Sequence, residues 1–261
     1  MVGMRAMVAG LCGLVTLGAL GQQPGQQPVQ QPAQQSGAPW AYAGKTGPLN
    51  WGHLDPTYKV CADGHEQSPI DIHGARVNKN LSPIEFHYVS GVMSMVNNGH
   101  TVQVTAPAGS YIVVGGVRYD LVEFHFHHPG EEAVKGKLSD MSVQLVHKSA
   151  DGKYVIIAVR LNEGNPNAVL AGLWPHLPKT PGATDKAVES MSPAGLLPAD
   201  KSYWTYMGSL SEPPCTEGVR WFVFEQTVDI SRQQLKDFGY LYKVNSRMLQ
   251  SAHGRKIEAS E

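Results

Sequence analysis

The chain has 261 residues, 42% of them hydrophobic and 16% charged, and its 21 Lys and Arg against 22 Asp and Glu leave a formal net charge of −1. That is enough apolar material for one sizeable core, and the balanced charge, with no basic stripe, argues against nucleic acid as a partner. Beyond the N-terminal region no stretch reaches the roughly 18 apolar residues of a spanning helix, so no membrane span is expected in the mature chain.

In chain order, Arg5 precedes an apolar run from Ala6 to Leu20, and Ala19-Leu20-Gly21 resembles a small-residue cleavage site. Residues 1–21 are therefore expected to be a signal peptide, with an uncleaved anchor as the alternative. Cys12 does not mark a lipoprotein, because Leu11 stands where a small residue is needed. Residues 22–39 repeat Gln-Gln-Pro and have nothing to bury, which predicts a disordered tether. The folded domain is expected over residues 40–261, with its last ordered element ending near Ile257. Export leaves Cys61 and Cys215 as an even pair, expected to form one disulfide.

The interior predicts strands. Thr101 to Thr105 alternates, a turn follows at Pro107-Ala108-Gly109-Ser110, and Tyr111 to Val114 is rich in β-branched residues. Gly115-Gly116 signals a hairpin before Val117-Arg118-Tyr119. Leu121 to His127 predicts a further strand. Met141 to Lys148 and Tyr154 to Leu161 flank a hairpin at Asp151-Gly152. Val219 to Ile230 predicts one long strand with Trp221, Val223 and Glu225 on one face. Ser231 to Phe238 predicts a short helix opened by a Ser231/Gln234 capping box. The fold class is predominantly β with some helix: one domain around a large, mainly antiparallel twisted sheet.

Side chains alternate faces along a strand, so Glu123, His125 and His127 share one face while Phe124, Phe126 and His128 share the other. Two imidazoles two residues apart on one face can reach a single ion, and imidazole suits zinc. The bland alternative is two ordinary, satisfied histidines. A third ligand has to come from a neighbouring strand, and Met141 to Lys148 offers Gln144 and His147. These lie three apart, on opposite faces, and periodicity leaves the choice open.

The ordered motifs Trp40-Ala41-Tyr42, Gln67-Ser68-Pro69-Ile70-Asp71-Ile72, Asn97-Asn98-Gly99-His100, Phe124-His125-Phe126-His127 and Leu145-Val146-His147 carry a family resemblance. Gly208-Ser209-Leu210, Pro213-Pro214-Cys215-Thr216-Glu217-Gly218 and Asn245-Ser246-Arg247 extend it. Together they resemble an α-class carbonic anhydrase of the exported bacterial type, over nearly all of Trp40 to Ile257. The resemblance implies a zinc cofactor in a conical cleft and reversible hydration of carbon dioxide to bicarbonate and a proton.

Residue by residue, His125 and His127 match two zinc ligands. Gln144 falls where the family has its third ligand histidine, and His147 matches a histidine that is not a ligand. An amide oxygen is a weaker donor to zinc than imidazole. Ser211 matches the threonine that orients the nucleophile, and Glu131 the acid that receives that hydroxyl's proton. His100 matches the proton shuttle; its bland reading is an exposed turn histidine. Val146, Leu210, Val219 and Trp221 match the apolar wall for carbon dioxide, which core packing alone would also explain. Ile156 stands where valine is common and narrows that pocket. Glu212 replaces a second threonine near the substrate. Glu123 takes the place of a residue bonded to the first ligand, Asn245 supports the ligands from its own motif, and Ser142 occupies a place some relatives give to Glu.

The expectation is an exported, periplasmic or secreted carbonic anhydrase with a His-His-Gln zinc site and reduced activity. Its partners are carbon dioxide and bicarbonate, with a homodimer left open. The alternatives are a non-catalytic relative that binds a metal or a partner, and an enzyme using another metal.

Overall fold

The computed structural model describes residues 37–261 and the first two residues of the chain. The expected signal peptide, beyond those two residues, and the tether up to residue 36 lie outside the described residues.

A twisted sheet organises the described part. From one end it runs Thr184–Lys186, Ser94–Asn97, Val102–Thr105, Val117–His127, Met141–Ser149, Tyr154–Glu163, Glu217–Phe224, Tyr203–Ser209, Glu258–Ala259 and Arg76–Val77. Most neighbours are antiparallel. Tyr154–Glu163 runs parallel to Glu217–Phe224, and Glu258–Ala259 runs parallel to Arg76–Val77. The fold thus continues past Ile257, because residues 258 and 259 still pair with the Tyr203–Ser209 strand.

The central strands are buried on both faces, which accounts for their nearly unbroken apolar runs. Phe124, Phe126, Val143, Leu145, Val155, Ile157, Val159, Phe222 and Phe224 enter the larger core. The alternate residues Val146, Ile156, Ala158, Val219, Trp221 and Val223 pack with Ile70, Ile72 and Tyr206 on the other face. The period of two therefore divides core from site, as the alternation in the sequence implies.

Two elements differ from expectation. Val117–His127 is continuous, so the two predicted strands there are one. Conversely, the long strand expected over Val219 to Ile230 is interrupted. Ala158 pairs with Val223 and Leu161 with Val228, so three residues on one strand face five on the other. Two extra residues bulge out around Glu225-Gln226-Thr227, and the same-face placement of Glu225 with Trp221 and Val223 is lost. The bulge is held from outside the sheet: Glu225 N–H donates to the Ser202 carbonyl at 2.9 Å, and Gln226 Oε1 accepts from Asp200 N–H at 2.7 Å.

The predicted helix forms as Arg232–Leu241, with Ser231 as its cap and the reciprocal Ser231/Gln234 box present. Phe238 is buried against Phe126 and Trp174, so this helix closes the larger core behind the histidine strand.

Candidate metal centre

The Val117–His127 strand puts His125 and His127 on the face opposite the larger core. Their ring centroids lie 4.9 Å apart with planes at 80°. In each ring Nδ1 is engaged. His125 Nδ1 lies 2.9 and 3.1 Å from the two carboxyl oxygens of Glu123. His127 Nδ1 lies 2.7 Å from the Asn245 carbonyl oxygen. A carbonyl can only accept, so the proton sits on Nδ1 of His127 and its Nε2 carries a lone pair. That Nε2 is buried and has no hydrogen-bond partner among the described residues. An acidic or carbonyl acceptor behind each imidazole is the usual support of a metal-binding histidine.

Gln144 and His147 separate as the sequence left undecided. Gln144 lies directly across the ladder from His125, and it is buried. Its Nε2 donates to Glu131 Oε2 at 2.9 Å and to Glu132 Oε1 at 3.1 Å. His147, three residues further along the same strand, faces the other side. There its Nδ1 donates to the Leu145 carbonyl at 3.0 Å and its Nε2 accepts from the Tyr88 hydroxyl at 2.9 Å. Burial pushes its pKa down to about 3, so it is a neutral core histidine.

Charge at the centre is dense and buried. Burial works to lower the pKa of His125, but Glu123, by charge and hydrogen bond, with Glu212 and Glu131 behind it, lifts it to about 9. Burial keeps His127 below its ordinary range, opposed by Glu131 and by the nearby Gln144 side chain. Burial, and then the neighbouring Glu131 charge, raises Glu132 to about 8. Burial likewise raises Glu212 to about 7, with His125 opposing.

A network anchors these groups to the disulfide. Arg247 N–H donates to Glu131 Oε1 at 2.8 Å, so both carboxyl oxygens of Glu131 are engaged, one by Arg247 and one by Gln144. The Arg247 guanidinium donates to Gln67 Oε1, the Ser68 carbonyl and the Cys61 carbonyl at 2.9, 2.8 and 2.9 Å. Cys61 is bonded to Cys215 across a sequence separation of 154, as expected from the even cysteine pair. Cys215 follows Ser211 and Glu212 in a tight loop closed by Cys215 N–H to the Glu212 carbonyl at 2.8 Å. The disulfide therefore pins the loop that carries both residues.

The remaining residues named from the sequence have these surroundings. Asn245 is the junction: beyond holding His127, its Oδ1 accepts from His128 N–H at 2.7 Å. Its Nδ2 donates to the carbonyls of His100 and Phe126 at 3.0 and 2.9 Å. His100 occupies the Asn97-to-Thr101 turn, where Asn98 Oδ1 accepts from its N–H at 2.9 Å. Its ring stacks on Trp40 at 3.6 Å and 6°, and burial lowers its pKa. Val146, Val219 and Trp221 share one apolar cluster against which Leu210 packs, and Ile156 belongs to it too. Ser142 is buried and its Oγ accepts from Glu131 N–H at 3.3 Å. Ser211 is buried as well.

Sequence reasoning missed Glu132, the hub role of Arg247 and the contact of Trp40 with His100. Two adjacent acids after Pro129-Gly130 look like a solvated turn. They are buried because Ala133–Val134 pairs in parallel with Asp71–Ile72, which closes over them.

The donor chemistry fits a metal ion at two positions and admits it at a third. In each imidazole Nδ1 faces an acceptor, which leaves Nε2 as the atom to meet an ion, and that of His127 is orphaned. Among the described residues no group of three His, Cys, Asp or Glu stands ready to hold an ion. With its nitrogen given to Glu131 and Glu132, Gln144 has only Oε1 to offer.

A buried pair of histidines, each with an acceptor at Nδ1, on a large twisted sheet is a candidate metal centre. The family model described as eukaryotic-type carbonic anhydrase matches residues 46–261. A carbonic anhydrase of Klebsiella pneumoniae is 39% identical over 221 residues, covering 84% of this chain and 89% of the relative. The structure of an α-carbonic anhydrase from Thermovibrio ammonificans with sulfanilamide superimposes with a TM-score of 0.83 at 40% identity. It covers 85% of this chain and 99% of that one. A dioscorin crystallised with ascorbate has a TM-score of 0.79 at 29% identity, over 85% of this chain and 97% of its own. The chain belongs to the α-type carbonic anhydrase family.

Proposed function

We infer that this chain catalyses the reversible hydration of carbon dioxide to bicarbonate and a proton. A zinc ion would be held by His125 Nε2, His127 Nε2 and Gln144 Oε1, and turnover lies below that of a three-histidine centre. The observation that carries this reading is the buried, unpartnered His127 Nε2 beside a second imidazole whose Nδ1 is backed by a carboxylate. Bound there, zinc would supply a nucleophile at neutral pH by acidifying water, the property for which carbonic anhydrases are the standard example.

The chain's own residues do the rest. Val146, Leu210, Val219 and Trp221, which pack in one apolar cluster, would supply the wall against which carbon dioxide rests. Ser211 orients the nucleophile through its hydroxyl. Both carboxyl oxygens of Glu131 are engaged, by Gln144 and by Arg247, which supports reduced turnover. Glu212, whose carboxyl acts on His125, repels bicarbonate when ionised and so favours its release. His100 passes the proton outward from its turn, and the low pKa that burial gives it speeds the hand-off to buffer. The disulfide supports export to the periplasm or the exterior, since such bonds persist in oxidising compartments.

The test is stopped-flow hydration of carbon dioxide by zinc-loaded protein. Catalysis above background that is abolished by His127→Ala supports the reading, and a rate equal to background removes it. A non-catalytic, metal-binding role is the second reading, favoured by the engagement of Glu131 with Gln144. It predicts that Gln144→His creates activity absent from the parent.

A further inference from the structure

We propose that Glu132 is a positioning residue which, together with Glu131, fixes the amide of Gln144 so that its oxygen faces the metal. This rests on the His-His-Gln reading and adds to it the device that makes an amide usable as a ligand.

A glutamine amide presents either oxygen or nitrogen, depending on which way it is flipped, and only the oxygen has a lone pair for a cation. At an isolated site the flip is free, and half of the orientations aim N–H groups at the ion. Here both N–H groups have a designated acceptor: Glu131 Oε2 at 2.9 Å and Glu132 Oε1 at 3.1 Å. Reversing the amide would lose both bonds and set its oxygen against the Glu131 carboxyl group. The two acceptors are themselves fixed. Glu131 is held by Arg247 N–H and lies under the ligand pair, 3.5 Å from His127 Nδ1. Glu132 is completely buried, between Gln144 and the positive charge of Arg160. Its second oxygen, Oε2, has no partner among the described residues, so its bond to Gln144 is the contact that the side chain's burial serves. A buried acid with a single hydrogen-bond partner is costly, and here it stands at the one place where an amide replaces an imidazole.

The test uses the full folded domain, purified free of metal, and reads zinc affinity by chelator competition and the visible spectrum of the Co²⁺-loaded protein. Glu132→Gln gives the amide a neighbour that accepts or donates equally well and so releases the flip. The expected result is zinc binding weaker by about tenfold to a hundredfold, the range in which supports behind a metal ligand act, with an altered Co²⁺ spectrum. In a Gln144→His background the same change should leave affinity within about twofold, because an imidazole has no amide flip to fix. Loss of affinity of equal size in both backgrounds would overturn the proposal, as would an unchanged affinity and spectrum in Glu132→Gln. Should Glu132→Gln not fold, Glu132→Asp withdraws the same acceptor by one methylene and carries the same expectations. Gln144→Ala separates the two levels. If it binds zinc as tightly as the parent, the ligand assignment itself is wrong. If it binds more weakly while Glu132→Gln does not, only the role of Glu132 is refuted.

Discussion

His147 gives a pH prediction that is independent of any metal. It is fully buried, bonded at both nitrogens, and held neutral with a pKa near 3 by burial. In the unfolded chain a histidine titrates near 6.5. The folded value is the lower one, so the unfolded state binds more protons over the window from 6.5 down to 3. Stability is complete above that window and is lost as pH falls through it. At pH 5 the gap is about 1.5 units below 6.5, which at 1.36 kcal/mol per unit is a loss of about 2 kcal/mol from this residue. Replacement by glutamine keeps a polar side chain at the site and removes the titration. Urea unfolding of parent and His147→Gln at pH 7.5 and pH 5 should then show that the parent loses about 2 kcal/mol more than the variant between the two. Equal losses would refute the assignment of His147 as a neutral core residue and reopen its claim to the metal.

Three further outcomes follow from the same geometry. Gln144→His should raise the rate of carbon dioxide hydration, read by stopped flow, because an imidazole is the better zinc donor and frees Glu131 from the amide; a fall in rate contradicts that account. Removing the disulfide with Cys61→Ser should lower stability by several kcal/mol, about 5 in the chain-entropy model for a loop of this length. Zinc affinity should fall with it, since Arg247 ties the Cys61 carbonyl to Glu131. Thermal melts and chelator competition read the two effects. Trp40→Ala should uncover the His100 ring and move its NMR titration upward toward the ordinary histidine value, because burial is what lowers it.

How much of this the sequence disclosed depends on how local each feature is. The alternation in Phe124-His125-Phe126-His127 is a property of five or six residues, and it placed both phenylalanines in the core and both histidines in the site. The Ser231 capping box and the paired cysteines are similarly self-contained. The choice between Gln144 and His147 was not local. It depends on which face of Met141–Ser149 carries the histidine side of the sheet, which only the pairing discloses. The family resemblance pointed to Gln144, and the ladder sets Gln144 opposite His125. Glu132 was invisible for a related reason. Its burial is imposed by a parallel pairing with residues some sixty positions away, and no turn chemistry announces that. The break after Phe224 has a local sign that the expectation of one long strand overlooks, since three consecutive polar residues, Glu225, Gln226 and Thr227, interrupt the apolar run where the backbone bulges.

The most direct test of the central claim is the structure of the zinc-loaded protein at a resolution that separates ligands. The account predicts one ion with His125 Nε2 and His127 Nε2 at about 2.0–2.1 Å and Gln144 Oε1 at about 2.0–2.2 Å, with the amide nitrogen still on Glu131 and Glu132. An ion held by the two histidines alone, with Gln144 beyond about 3 Å and its place taken by Glu212 or water, would contradict it.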